Sequence, residues 1–103
     1  MNEVIAKRVL KFKKMKSSLT GELVVEIYKP YELTEDIVEF PIFKGNAGCS
    51  VKFLGLDTDH YDHNVYGADS LQALSMAVDV EGILKTISKT HELYFLDGEP
   101  YFE

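Results

Sequence analysis

One stretch of the chain unites helix-boundary chemistry, periodicity and length, and it limits what the remainder can fold into. It opens at Tyr66-Gly67-Ala68-Asp69-Ser70-Leu71-Gln72-Ala73-Leu74 and is expected to end near Ser88 to Thr90. Asp69 is placed as an N-cap, its carboxylate accepting from free N–H groups of the first turn. Gln72 follows three residues later and can reach back, as in a capping box. Gly67 lets the chain turn just before the cap. Ala73, Met76, Ala77, Val80, Ile83, Leu84 and Ile87 recur at spacings of three and four, which makes one stripe on a helix. Leu71, Leu74 and Val78 form a second stripe, displaced around the axis and confined to the first half. That half is therefore expected to be covered twice, by a sheet and by a loop or second subunit. Gly82 costs about 1 kcal/mol relative to Ala in a helix interior, and a tight approach by another segment would explain it. Lys85 and Lys89 suit the negative end of the helix.

Everything around this helix reads as strand and turn. Residues 4–15 alternate, with Val4, Ala6, Leu10 and Phe12 on one face and Arg8 interrupting it. Residues 19–28 form the second arm of a hairpin, with Leu23, Val25 and Ile27 inward and Glu22, Glu26 and Tyr28 outward. Pro30 closes that strand. A third strand is expected over 37–44, at an edge or bulged because Pro41 lies inside it. Gly45-Asn46-Ala47-Gly48 is expected to be a hairpin turn into a fourth strand over 49–56. Val65-Tyr66 reads as a short bridge. After the helix, 91–96 and 99–102 form a terminal hairpin around Asp97-Gly98. The order is β-β-β-β-α-β-β: an α+β fold, a mainly antiparallel sheet with one long helix packed on one face. Tyr28, Phe43, Tyr94 and Tyr101 are candidates for the opposite face, and a homodimer would cover such a patch.

With 103 residues, 46% of them apolar and 12% aromatic, the chain is a single domain, 1–103, with a real core. No run is long enough to span a membrane, and the N-terminal segment lacks the apolar stretch of a signal peptide. One cysteine cannot form an intrachain disulfide, which fits a reducing cytoplasm. The net charge of −6 is uneven. Lys7, Arg8, Lys11, Lys13, Lys14 and Lys16 stand against Glu3 alone in residues 1–16, and the acidic excess lies beyond them. An acidic bulk argues against nucleic acid as the main partner. The basic strand serves a nucleic acid or an acidic protein, or pairs beside the acidic strand carrying Glu22 and Glu26.

The loop from Asp57 to His63 puts three carboxylates and two imidazoles into seven residues. Asp57, Asp59, His60, Asp62 and His63 are therefore the candidate metal ligands, and a divalent cation is the one cofactor suggested. The spacing is not that of a calcium loop, because Tyr61 takes the third ligand position and no glutamate stands at the twelfth. The same residues also make an ordinary solvated turn. Asp69 and Ser70 can be read as an acid and a nucleophile, but capping accounts for them. Cys49 has no histidine near it in sequence and reads as a buried structural thiol. Tyr28, Tyr31, Tyr61, Tyr66, Tyr94 and Tyr101 suit a protein-binding surface or partial core at sheet ends.

The run Tyr66 to Leu74, with Ala77, resembles the hallmark of a family of small uncharacterised bacterial proteins. Its members carry a tyrosine-glycine-x-aspartate-serine-x-glutamine-alanine-leucine box before their main helix. The early strand and the terminal hairpin resemble theirs too. The family carries no named activity, so the resemblance implies a bacterial cytoplasmic domain and supplies no catalytic residue. Three functions follow from the whole reading. The first is a non-catalytic protein-interaction or structural domain that forms a homodimer. The second is a metal-dependent or acid–base enzyme using the Asp57–His63 loop, which needs a pocket and carboxylates of shifted pKa. The third is an acidic immunity-type inhibitor of a toxin.

Overall fold

Alternation of side chains builds the sheet outward from its first hairpin. The computed structural model describes residues 3–102. β1 (Val4–Lys14) pairs antiparallel with β2 (Thr20–Tyr28), placing Leu10 opposite Leu23 and Arg8 opposite Val25. The other parity places Lys7 opposite Glu26, Val9 opposite Val24 and Lys11 opposite Glu22. The chain then passes through Lys29-Pro30 into β3 (Tyr31–Glu32), and later into β4 (Ala47–Leu54) and β5 (His63–Gly67). Val51 pairs with Ile27 and with His63, and Gly48 pairs with Tyr31 and with Tyr66. A strand residue has two lateral neighbours, so β2 and β3 run along one side of β4 and β5 along the other. Pro30, without an N–H, marks the interruption. β6 (His91–Tyr94) lies on the far side of β1, opposite Lys11 to Lys14.

One face of this sheet holds the core. Leu10, Phe12, Leu23, Val25, Ile27, Cys49, Val51, Phe53 and Leu93 are buried against a bent helical arm. The arm is α1 (Ser70–Ala77) followed by α2 (Glu81–Ile87), and Ala73, Ala77, Val80, Leu84 and Ile87 are its buried stripe. The fold is α+β, an antiparallel sheet of six strands with the helical arm on one face. The arm bends at residues 78–80, where Val80 N–H donates to the Val78 carbonyl at 2.9 Å instead of continuing the helical ladder. Val-Asp-Val explains the break: two β-branched residues are stiff at χ1, and an aspartate between them competes for backbone groups.

Several elements depart from the sequence reading. Five strands precede the helix and one follows it. Residues 37–44 form no strand; Pro41 removes a ladder donor there. That segment instead lies beside the sheet's other face, with Phe40 edge-on to Tyr66 at 5.4 Å. Leu33 and Val38 are buried outside the main core cluster. Ala47 and Gly48 belong to β4 and not to a hairpin turn. Val65-Tyr66 is part of a full strand. The turn at Asp97-Gly98 forms, but its second arm is a single bridge between Tyr94 and Pro100. Two members of the second helical stripe have no cover among the described residues, Leu71 at 76% and Val78 at 50% exposed, while Leu74 packs against the core. Nothing approaches Gly82 within 4 Å; it sits in the first turn of α2, where its cost is smaller.

Two glycines are required by close approach. Gly67 lets the chain pass within contact of the Ala73 amide as α1 begins. Gly55 ends β4 at φ +105°, and a Cβ there would lie 1.9 Å from the Glu22 carbonyl oxygen. Gly55→Ala is expected to destabilise the fold by more than about 1 kcal/mol, read from the midpoint of urea unfolding. An unchanged midpoint contradicts this packing of β4 against β2.

Candidate functional site

The polar loop between β4 and β5 commits the side chains of Asp57, Asp62 and His63 to separate partners. The Lys14 ammonium donates to Asp57 Oδ2 at 3.1 Å. The Phe53 N–H donates to Asp62 Oδ1 at 2.8 Å, so the Asp62 carboxylate extends the ladder where β5 has not yet begun. His63 Nδ1 lies 2.8 Å from the Tyr61 carbonyl, which can only accept, so that nitrogen carries the hydrogen. The His63 ring stacks on Phe53, and His60 packs edge-on to Tyr61 at 5.3 Å. The Asp59 carbonyl accepts from Asp62 N–H and the Thr58 hydroxyl from His60 N–H. Among the described residues, no three His, Cys, Asp or Glu side chains gather as a metal site. Asp57, Asp59, His60, Asp62 and His63 share a loop without converging. A shallow depression beside the loop is lined by Leu54, Leu56, Asp57, Thr58 and Asp62. Its Asp57 carboxyl is held below the usual range, first by the hydrogen bond from Lys14 and then by that lysine's charge. That shift suits an ion pair and not a general acid.

The other sequence candidates have structural partners. Asp69 Oδ1 accepts from Gln72 N–H at 2.8 Å and Gln72 Oε1 accepts from Ala68 N–H at 2.6 Å. The capping pair is present, with the glutamine reaching the residue before the cap. The Cys49 thiol is fully buried, donates to the Tyr28 carbonyl at 3.1 Å, and has its pKa raised by burial. A protonated, enclosed thiol is a poor nucleophile. Arg8, the charge interrupting the apolar face of β1, donates from one Nη1 to Glu81 Oε2 at 2.7 Å and to the Tyr101 hydroxyl at 2.6 Å. Tyr101 in turn donates to Glu81 at 2.7 Å. This triangle ties β1, the start of α2 and the C-terminal segment together. It also places Tyr101 on the helix side, not on the opposite face. Burial, then the Glu81 hydrogen bond, push its phenol up, and Arg8 draws it back.

The remaining candidate is the sheet face away from the helices. Register places on it Lys7, Val9, Lys11 and Lys13 of β1, Glu22, Val24, Glu26 and Tyr28 of β2, Lys52 and Leu54 of β4, and Glu92 and Tyr94 of β6. Its rows run across the strands: Lys52–Glu26–Lys7, then Leu54–Val24–Val9, then Glu22–Lys11–Tyr94. Tyr28 donates to Glu26 and Tyr94 to Glu92, each bond raising the phenol's pKa and pinning the ring. Lys52 sits 5.6 Å over the Tyr28 ring. The basic strand therefore lies beside glutamates, as cross-strand pairing requires. At the β5 end Tyr31 lies over Gly48, and Phe40 abuts Tyr66. Leu54 remains 42% exposed and no helix covers the three-strand apolar row. No described helix is long and apolar enough to cross a membrane. The composition of this face was readable in the sequence; its two-dimensional order needed the register.

No family model matches the chain, and neither a curated protein nor a solved structure matches it.

Asp62→Ala leaves the Phe53 N–H without its acceptor and is expected to cost about 1–3 kcal/mol, with Asp62→Asn retaining most of it; chemical unfolding of the two variants decides. Asp57 adds a pH dependence of known sign. A carboxylate with a lowered folded pKa stabilises the native state above its unfolded pKa, and the contribution disappears as pH falls through the folded value. Lys14→Met is expected to flatten the stability profile below about pH 4, measured as the unfolding midpoint against pH.

Proposed function

We propose that this chain is a non-catalytic protein-interaction domain that self-associates through the helix-free face of its sheet. The observation that carries the reading is the alternation of charge across neighbouring strands in a face with an apolar row at its middle. Lys7 lies beside Glu26 and Lys11 beside Glu22, with Val9 beside Val24 between them. A two-fold axis parallel to the strands and passing between β1 and β2 sets β1 of one copy over β2 of the next. Lys7 then faces the second copy's Glu26, Lys11 its Glu22, and Val9 its Val24. The face is complementary to itself, which an isologous interface requires. Sheets pack in this aligned manner about 10 Å apart. The molecule measures 48 × 23 × 22 Å, so the broad face has room for the ~800 Å² per partner of a standard interface.

The resemblance over Tyr66 to Ala77 implies a bacterial cytoplasmic domain and supplies no catalytic residue, which is compatible with the same reading. A reducing compartment suits the unpaired, enclosed Cys49. Catalysis draws no support from the loop, where the Asp57 and Asp62 carboxylates serve Lys14 and the Phe53 amide.

Light scattering of the wild-type chain is expected to give the mass of a dimer. Glu26→Lys is expected to give a monomer, and Lys7→Glu in the same chain to restore the dimer by exchanging the two signs. A wild type that stays monomeric at every concentration reached overturns the proposal, as does a Glu26→Lys variant that remains dimeric.

A further inference from the structure

β1 is eleven residues long but β6 covers only Lys11 to Lys14 of it. The rest of that edge has no strand beside it among the described residues. The direction of its backbone groups follows from the bonds at its end. Lys14 N–H donates to the Leu19 carbonyl on the β2 side, and Met15 N–H to the Thr90 carbonyl on the β6 side. N–H and C=O directions alternate along a strand. The backbone groups of Lys7 and Val9 therefore point outward on the open side. A register shift between Val4 and Ala6 bounds this free run at its start.

We infer that the open edge of β1 takes up an acidic extended segment of a partner protein as an added strand. Three observations select that occupant. First, the row Lys52–Glu26–Lys7 changes sign at every strand and stops at the edge with a lysine. The next place outward calls for a carboxylate. Second, β6 already shows the chemistry on this same edge: Glu92 stands opposite Lys13, 4.0 Å between charges, and Tyr94 opposite Lys11. An added strand continues the line of β6 with the same alternation. Third, a second copy of β1 is excluded. Antiparallel pairing centred on Lys7 or on Val9 sets lysine against lysine, pairing centred on Arg8 sets arginine against arginine, and β1 carries five basic residues and no acidic one. Like charges directly opposite are destabilising. Lysines on an edge ordinarily prevent unwanted pairing; here they also specify which strand is admitted, with backbone bonds supplying the attachment.

This inference goes beyond self-association: the added strand bonds to the backbone edge of β1, although the Lys7 side chain that selects it also lies on the face. The two are tested by different readouts, mass for the face and amide exchange for the edge. The probe is an eight-residue capped peptide of alternating glutamate and valine, titrated into the isotope-labelled full chain at low salt. Exchange of the Lys7 and Val9 amides is expected to slow by at least about tenfold on saturation, while other sheet amides keep their rates. Lys7→Glu, compared with the wild type at a concentration where light scattering shows both as monomers, is expected to weaken binding at least about tenfold and to favour a peptide with lysine in place of glutamate. Val9→Pro removes one outward donor at a position where proline is tolerated, and is expected to abolish binding. The inference is overturned by absence of binding, by binding that leaves both amides unprotected, or by equal affinity in Lys7→Glu. It is also overturned if protection of those amides rises with protein concentration alone, which would make a second copy the occupant.

Discussion

The register of the first hairpin is the constraint on which the rest of the structure depends. Pairing Leu10 with Leu23 sets Leu10, Phe12, Leu23, Val25 and Ile27 into the core and the residues between them on the opposite face. A slip of one residue would drive Lys11 and Glu22 into the core and expel Leu10 and Leu23. Both β4 and β6 are built on this hairpin, one on each side, so their parity is inherited from it. The helical arm then has one apolar surface to cover. Its buried stripe of Ala73, Ala77, Val80, Leu84 and Ile87 meets that surface only because the arm bends at residues 78–80.

Much of this was legible in the chain because the signals were local. Alternation, broken in β1 by Arg8, announced β1 and β2, and the cap at Asp69 with its stripe of threes and fours announced the arm. The misses have physical causes. Residues 37–44 are apolar enough for a strand, but Pro41 removes a ladder donor, and both sides of the neighbouring β4 are already taken by β3 and β5. The bend was hidden because stripe residues on both sides of it keep a common face. Met76 sat in the predicted stripe and is 45% exposed, since the first segment buries Ala73 and Ala77 and packs Leu74, not Met76, against the core.

The candidate site divides the same way. The loop from Asp57 to His63 has a ligand's composition and a turn's geometry. Its partners, Lys14 and the Phe53 amide, lie on other strands and cannot be read from spacing. The two triangle partners of Arg8 lie 73 and 93 residues away, and so the charge that spoiled a strand pattern in the sequence is a satisfied clamp in the fold. The alternating rows of the helix-free face likewise exist only after strands are laid side by side.

The sheet places its last strand against its first. β6, which begins at residue 91, shields Lys11 to Lys14 of β1. Contacts so distant along a chain close late, because the intervening loop entropy must be met first. During synthesis the hairpin of β1 and β2 can pair as soon as residue 28 has emerged, while β6 arrives more than sixty residues later. Through that interval the whole basic edge of β1 faces the surroundings. The lysines that mark this strand therefore act earliest as a guard on a nascent chain, keeping neighbouring copies apart by repulsion until the final strand docks.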